Sequence, residues 1–371
     1  MDKGKKIYAY DIDGSKTSGA RFYRALCHKI NSSCGSSLSC SKIVLVNVYC
    51  PIKTIIYFRL TGKKVIMRVD GLWNDRISEN FLAQMNIFWR YFFVLLKNSK
   101  ALHTPLSHFA NFLYDNYKVF LKIFISNRII YQSNYSRQLY ETYLHKKNTV
   151  ILNASTWESS TTLKRNAPDF KNKIKFCVIY SSAPLKGIYE AVKFVDWLNN
   201  IKNTEAELTV LGFDGKKHPS APKDFLDLIQ KKTFVNLLSH FEELNQTHKK
   251  ALFNSHFYLS FTRADNCPNA LIESMAFGLP VIGLASGGVS EIVGKAGFLV
   301  PFDDFSDGYF FANRYEYPNF DIPYEALFEG LKKLIDRYNY YCNEVEKRFQ
   351  SELNLNQAAS KYLSYLNSLE H

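Results

Sequence analysis

Short runs of β-branched and aromatic residues alternate along this chain with longer stretches patterned for helices, and the alternation occurs twice. Parallel strands cannot be joined by a tight hairpin and need a crossover, usually a helix, so this grammar selects parallel sheets with helices on their faces. In the first half the expected strands are 6–10, 43–49, 64–69, 128–132 and 150–153. Helices are expected at 20–30, 79–97 and 105–124, with a Gly/Ser loop at 13–19. The segment 155–172 is polar, contains Pro168 and lacks periodicity, which marks a linker. Beyond it, strands are expected at 175–180, 207–212, 234–238, 257–260, 281–284 and 297–300. The helices between them fall at 186–199, 244–253, 269–277 and from 288, and 324–369 reads as helical with breaks. The expected fold class is α/β, with two domains, 1–160 and 173–354, facing across a cleft. Open sheets of this kind take ligands at the carboxyl ends of their strands.

Composition narrows the partners. A length of 371 residues with 46% hydrophobic content supports two ordinary cores rather than disorder. A net charge of +13 implies an anionic partner, but no aromatic-plus-basic RNA signature or zinc-finger spacing occurs, so no nucleic acid is expected. Seven cysteines form an odd count without a C-x-x-C pair, which fits a reducing compartment. The N-terminus turns acidic before any apolar signal core develops, and the longest apolar run, 87–96, is short and broken by Arg90. A cytoplasmic protein is expected, with attachment to a membrane surface left open. His103, His108, His240 and His256 match no metal-ligand spacing, and no metal is expected.

One segment carries chemistry. Between 263 and 300, two carboxylates, Asp265 and Glu273, stand with seven residues between them around the helix-start signal Cys267-Pro268-Asn269. Gly287-Gly288 opens a second helix. Proline in a first helical turn leaves the neighbouring amides available to an anion. An acid just before that turn and another inside the helix can hold hydroxyls on either side of a bound phosphate, which suits a sugar attached to a phosphate. Two acids alone at this spacing are more often surface charges. Cys267 lies beside the helix start without any base to activate it, and reads as incidental.

The flanking elements raise the specificity. Asp265 through Glu273, Phe277-Gly278-Leu279-Pro280-Val281-Ile282 and Gly287-Gly288-Val289-Ser290-Glu291 follow one another in an order that resembles the retaining glycosyltransferases of the GT-B fold, family 4. Weaker likenesses extend to Ser182-Ala183-Pro184-Leu185-Lys186-Gly187, to 208–212, and to the strand ends at 130–133 and 150–153. The resemblance implies two Rossmann-like domains, with a last helix, 355–371, packing back on the first, and a nucleoside-diphosphate sugar held mainly by the second, without a cofactor or metal. It implies that Glu273 binds the ribose, Asp265 the transferred sugar, and the amides around Pro268, Asn269 and Ala270 the diphosphate. Lys186 would neutralise the leaving phosphate, with Gly212 at a donor-side strand end and Gly19 approaching the phosphates from the first domain. The acceptor implied is a hydroxyl of a glycan or lipid-linked oligosaccharide in surface polysaccharide synthesis.

Three departures stand out. Asp265 replaces the usual Glu, Tyr180 and Ser181 occupy the place of a diphosphate-binding arginine, and Arg68 and Asp70 stand where many members carry histidine. Arg68 or another base is expected to supply the missing charge, and both Arg68 and Asp70 are candidates for catalysis or acceptor binding. These departures keep a catalytically weakened nucleotide-sugar-binding protein in view, and an epimerase of the same fold is the other alternative. Trp89, Tyr91, Phe92, Phe93, Tyr117 and Phe120 are interleaved with basic residues. They read either as core with snorkelling lysines or as a face toward a membrane.

Overall fold

The computed structural model of the chain describes residues 6–11, 18–35, 37–71, 82–83, 85–98, 116–141, 144–157, 165, 167–181, 183–216, 221–240, 244–302 and 321–369. The 13–17 part of the expected Gly/Ser loop, Ser182, His103, His108 and the start of the expected 105–124 helix lie outside them.

The first sheet joins β1 (Ile7–Ala9), β2 (Ile43–Asn47), β3 (Lys64–Val69), β4 (Arg128–Tyr131) and β5 (Asn148–Val150), side by side in chain order and all parallel. Its helices are α1 (Ser18–Cys34), α2 (Ile52–Leu60), α3 (Ile87–Asn98), α4 (116–125) and α5 (Asn134–Glu141). Alternate residues of the strands bury on opposite faces, as a pleat requires. Val44, Val46, Val65, Met67, Ile129 and Tyr131 share one core with residues of α2, α4 and α5. Ile7, Ala9, Ile43, Leu45, Ile66 and Ile130 share another with α1 and with the last helix of the chain.

The second sheet contains β6 (Ile174–Ile179), β7 (Ala206–Phe213), β8 (Val235–Ser239), β9 (Phe257–Ser260), β10 (Val281–Ala285) and β11 (Gly297–Pro301). Their spatial order is β11-β10-β9-β6-β7-β8, again all parallel. The crossovers are α6 (Ile188–Ile201), α7 (Phe225–Lys231), α8 (Gln246–Asn254), α9 (Asn269–Met275) and α10 (Val289–Val293). After them come α11 (Tyr324–Asp336), α12 (Tyr338–Arg348) and, past a π-turn at Phe349–Leu353, α13 (Leu355–Asn367). Asn354 caps α13 by accepting the Gln357 N–H. Ala358, Ala359, Tyr362 and Leu366 of α13 are buried against α1 in the first domain, so the chain ends on the domain where it began.

The elements differ from the sequence expectation in several places. Residues 52–60, 134–141 and 225–231 form helices that no periodicity announced, and the last strand of the first sheet lies at 148–150 rather than 150–153.

Candidate active site

The strand order of the second sheet reverses between β6 and β9, and such a switch point opens a crevice at the carboxyl ends of the two strands. The chain leaves β6 into a 3₁₀ turn, Pro184–Lys186, that ends at Gly187 in the left-handed conformation, φ 67°. A side chain at Gly187 would drive its Cβ to 2.3 Å from the Phe261 carbonyl oxygen, so the two loops touch backbone to backbone. The chain leaves β9 toward Asp265. Lys186 and Asp265 therefore meet across the crevice, and the Lys186 Nζ donates to the Asp265 carboxylate. A cavity of about 30 Å³ lies beneath them, lined by Lys186, Ser260, Thr262, Pro268 and Ala270 among others.

Asp265 is held by its backbone as well as its charge. Ala264 before it adopts φ 49°, a conformation rare outside glycine, and donates its N–H to the Ser286 hydroxyl. The Gly288 N–H donates to the Asp265 carbonyl at 2.8 Å. Gly287 has φ 59°, and a Cβ there would lie 2.3 Å from the same carbonyl oxygen. The glycine pair is thus the surface on which the Asp265 loop rests. An Asp265 carboxylate oxygen also accepts the Cys267 N–H.

Glu273 sits one turn into α9, and only 7% of its surface is exposed. Burial pushes its carboxyl up to about 7, while a cation opposes the shift: Arg21 of α1, whose Nη2 lies 3.5 Å from Glu273 Oε1. Arg21 comes from the other domain. Gly19, near the start of the same helix, would place a Cβ 3.6 Å from the Asn269 side chain. The first turns of α1 and α9 are therefore in contact. Pro268 stands at the N-cap of α9, where its ring offers no hydrogen-bonding side chain.

Arg68 does not face an open crevice. It is 2% exposed, donates to Asp70 at 2.6 Å, to Asn153 at 2.7 Å and to Gln132 at 3.2 Å, and lies near the rings of Phe22 and Tyr23. Burial opposes its charge, yet Asp70 keeps the guanidinium's pKa above its ordinary value. Asn153 also donates to Asn269 Oδ1 at 3.1 Å, which carries this network from the strand ends of the first sheet to the start of α9. Asp70 is half-buried beside Gly71, where a Cβ would come within 1.8 Å of the Asn266 side chain. Gly212 adopts φ 84° at an irregularity near the carboxyl end of β7, one strand from the switch point.

The structure thus gathers Lys186, Asp265, Pro268, Asn269, Ala270, Glu273 and Gly19 at one end of the second sheet. Arg68 is buried at the strand ends of the first sheet and linked to Asn269 through Asn153, Asp70 is half-buried beside it, and Gly212 lies one strand from the switch point. Burial pushes the Cys267 thiol up to about 12, far from a reactive thiolate. Among the described residues no group of three or more His, Cys, Asp or Glu is placed to hold a metal ion, and no helix is long and apolar enough to cross a membrane.

Two residues with evident roles carried no sequence assignment. Arg21 is one, because nothing in α1 itself indicates a partner 252 positions away. Glu291 is the other: its two carboxylate oxygens accept the backbone N–H groups of Asn134 and Tyr135, each at 2.7 Å, at the start of α5 in the first domain. Its place in the Gly-Gly-x-x-Glu turn was the available signal. The aromatic segment divides within α3: Phe93 is fully buried and Trp89 partly, whereas Ile87, Phe88, Tyr91 and Leu95 are more than half exposed.

Two facing parallel-sheet α/β units with a polar crevice between their strand ends define the GT-B fold class. The family model described as glycosyl transferases group 1 matches residues 178–312. Comparison with curated proteins gives no match. Among solved structures, a glycosyltransferase from Rickettsia africae is similar over 96% of this chain and 83% of its own, at 16% identity and TM-score 0.56. Sucrose-phosphate synthase from Thermosynechococcus elongatus is similar over 96% and 80%, at 13% identity and TM-score 0.54. WaaG, a glycosyltransferase involved in lipopolysaccharide biosynthesis, is similar over 97% and 98%, at 12% identity and TM-score 0.52. At such identities the likeness establishes the fold. Fold and group 1 match together support the GT-B glycosyltransferase superfamily, and glycosyl transfer as the class of reaction.

Proposed function

We propose that this protein is a retaining, metal-independent glycosyltransferase of family 4 that moves a sugar from a nucleoside-diphosphate sugar to a hydroxyl acceptor. The observation that carries the reading is the meeting of Lys186 and Asp265 at the switch point, with Glu273 one turn into the helix that follows. In this reading Glu273 accepts the ribose hydroxyls, and the amides around Asn269 and Ala270 receive the diphosphate. Lys186 exchanges Asp265 for the phosphate as negative charge grows on the leaving group, an interaction strongest in the transition state. Asp265, released from the lysine, holds hydroxyls of the transferred sugar. The incoming hydroxyl attacks from the face the phosphate leaves and gives its proton to the departing phosphate oxygen as the sugar–phosphate bond breaks, so the anomeric configuration is kept. Domain closure excludes water as a competing acceptor.

The acceptor in this reading is a glycan or lipid-linked oligosaccharide of surface polysaccharide synthesis, reached from the cytoplasm. The involvement of WaaG in lipopolysaccharide biosynthesis is in keeping with it. The exposed aromatic and aliphatic side chains of α3 offer a first-domain face toward a membrane carrying such an acceptor. Flotation of the wild type and a Phe88→Ser/Tyr91→Ser variant with anionic vesicles separates that contact from core packing, which the fully buried Phe93 would confound.

The test of the main reading is a thermal-shift screen against UDP-, GDP-, ADP- and dTDP-sugars, followed by transfer assays with anomeric analysis of the product. Saturation at about 100 times the dissociation constant stabilises by about 2.7 kcal/mol, well within detection. Glu273→Ala is expected to weaken nucleotide binding, and Lys186→Ala to slow turnover of bound donor. Wild-type behaviour in both variants would remove these assignments, and an inverted product would remove the retaining mechanism.

A further inference from the structure

We propose that the first domain holds a site for a multiply charged phosphoryl anion, at the end of its sheet away from the crevice. A cavity of about 560 Å³ opens there, a volume typical of small-ligand sites. Lys64 and Arg128, which begin β3 and β4, line it together with His145, Lys146 and Lys147, which lead into β5. Leu369, just past α13, closes the lining, and no carboxylate is among the described residues that form it. Strand β3 runs from Lys64 at this cavity to Val69, beside Arg68 and Asp70, a span of about 17 Å at the usual rise per residue. The cavity is therefore separate from the crevice beside Lys186, and the proposal does not rest on the donor reading.

Cations often gather where helices end, offsetting the carbonyl end of the dipole, and that accounts for two of these. Lys146 Nζ donates to the Ile123 and Phe124 carbonyls of α4 at 2.7 and 2.8 Å, and Lys64 Nζ to the Leu369 carbonyl at 2.6 Å. An ammonium carries three N–H donors, so both are held in place with donors to spare. It does not account for Arg128 and Lys147. Among the described residues neither side chain makes a hydrogen bond or an ion pair. Lysines elsewhere find acids: Lys173 pairs with Glu205, Lys231 with Asp227 and Lys332 with Glu329. Asn127 adds a neutral donor to the lining. Its Oδ1 accepts from Arg59 at 2.6 Å and from the Val65 N–H at 2.8 Å, so its NH₂ is the group left without an acceptor among the described residues. Burial lowers the Lys146 pKa and the Arg59 charge lowers it further, as expected where like charges crowd a hollow. A monocarboxylate would leave most of Lys64, Arg128, Lys146 and Lys147 unmatched. A phosphate ester or diphosphate brings at least two charges, with oxygens that suit both the guanidinium fork and the ammonium donors.

Such a group can arrive free in solution or as a lipid headgroup, and the test has an arm for each. Inorganic pyrophosphate is titrated by calorimetry, and phosphatidylcholine vesicles with and without phosphatidic acid are used in flotation. All proteins carry Lys186→Ala, which removes the crevice's lysine from the comparison. Arg128→Gln/Lys147→Gln is set against Lys332→Gln/Lys347→Gln, which sheds the same charge from exposed positions of the second domain. Lys147→Gln alone, at an exposed position, repeats the measurement should the half-buried Arg128 matter for folding. The Arg128/Lys147 pair is expected to weaken binding of at least one probe by about 10-fold or more, with the second-domain pair within about twofold of its parent and Lys147→Gln between the two. Loss of pyrophosphate binding assigns a soluble ligand, and loss of phosphatidic acid vesicles alone assigns a headgroup. Equal losses in the two charge-matched pairs would show only the pull of net charge and overturn the proposal. Unchanged binding in both Arg128→Gln/Lys147→Gln and Lys147→Gln, or no binding of either probe by the parent, overturns it as well.

Discussion

The backbone N–H of Tyr135 donates to Oε1 of Glu291 at 2.7 Å, and the two residues belong to different domains. The other oxygen, Oε2, takes the N–H of Asn134 and its side-chain amide. Ser133 supplies the remaining cap by accepting from the Ser136 N–H. A helix's first amides have no partner within the helix, and a negative charge there is favoured by the dipole. α5 therefore has its open end completed by the second domain.

Glu291→Ala removes this tie without disturbing the core around it. The cost expected is that of a lost helix cap, about 1 kcal/mol, seen as a lower melting temperature. The more telling consequence is a wider distribution of domain separations, measured by small-angle scattering or by distances between spin labels on the two domains. An unchanged distribution in the variant would show that Glu291 does not hold the cleft shut.

Donor affinity should depend on pH through Glu273. Its carboxyl is raised to about 7 by burial, in spite of Arg21. Only the ionised form accepts hydrogen bonds from both ribose hydroxyls with both oxygens. Affinity is then complete above about pH 7 and falls by about tenfold per pH unit below it. A nucleotide sugar is the right probe, because its doubly esterified diphosphate has no proton to gain in this range. In Arg21→Gln the cation that lowers the Glu273 pKa is gone, so the midpoint should move to higher pH. A flat affinity between pH 5.5 and 8.5 in titration calorimetry would mean that Glu273 does not take the ribose as a carboxylate.

Gly287→Ala tests whether the glycine pair positions the acid or merely starts a helix. Alanine is strained at φ 59°, and its Cβ would press on the Asp265 carbonyl oxygen and amide. Strain and clash together are expected to cost more than about 1 kcal/mol, and relief requires Asp265 to move relative to Lys186. Turnover should fall more than donor affinity, since Glu273 is on a separate helix. A variant that is less stable yet turns over normally would confine the role of Gly287 to folding.

How much of this was legible before the structure varies with distance along the chain. Asp265, Asn269, Glu273 and the glycine pair fall within one contiguous segment, and Lys186 follows a strand recognisable from its β-branched pattern. Local spacing therefore carried the second-domain half of the site. Arg21 and Glu291 find partners in the other domain, and pairings of that kind leave no periodic trace. α2 was missed for a different reason: Ile52, Thr54, Ile55 and Ile56 favour strands locally. Tertiary context overrides them, because β2 and β3 are adjacent and parallel and need a crossover between them. Ile55 and Phe58 then pack on the sheet face that the crossover covers.

The last helix supplies the remaining prediction. In the first sheet α2, α4 and α5 pack on one face and α1, the connection from β1 to β2, packs on the other, where much of the sheet still needs cover. Here α1 covers part of it and α13 packs beside α1, burying Ala358, Ala359, Tyr362 and Leu366 with Phe22, Tyr23, Leu26 and Ile30. The first domain thus depends on the end of the chain for its core, although its strands end at β5. Leu366→Ala leaves a cavity among fully buried neighbours and should cost about 2–5 kcal/mol. Removal of 355–371 should go further, unfolding the first domain while the second keeps its sheet. Limited proteolysis of the truncated chain distinguishes the cases: early cuts within α1 and β2 with a resistant second domain are expected. Resistance across both domains would show that α13 is an attachment to the first domain rather than part of its core.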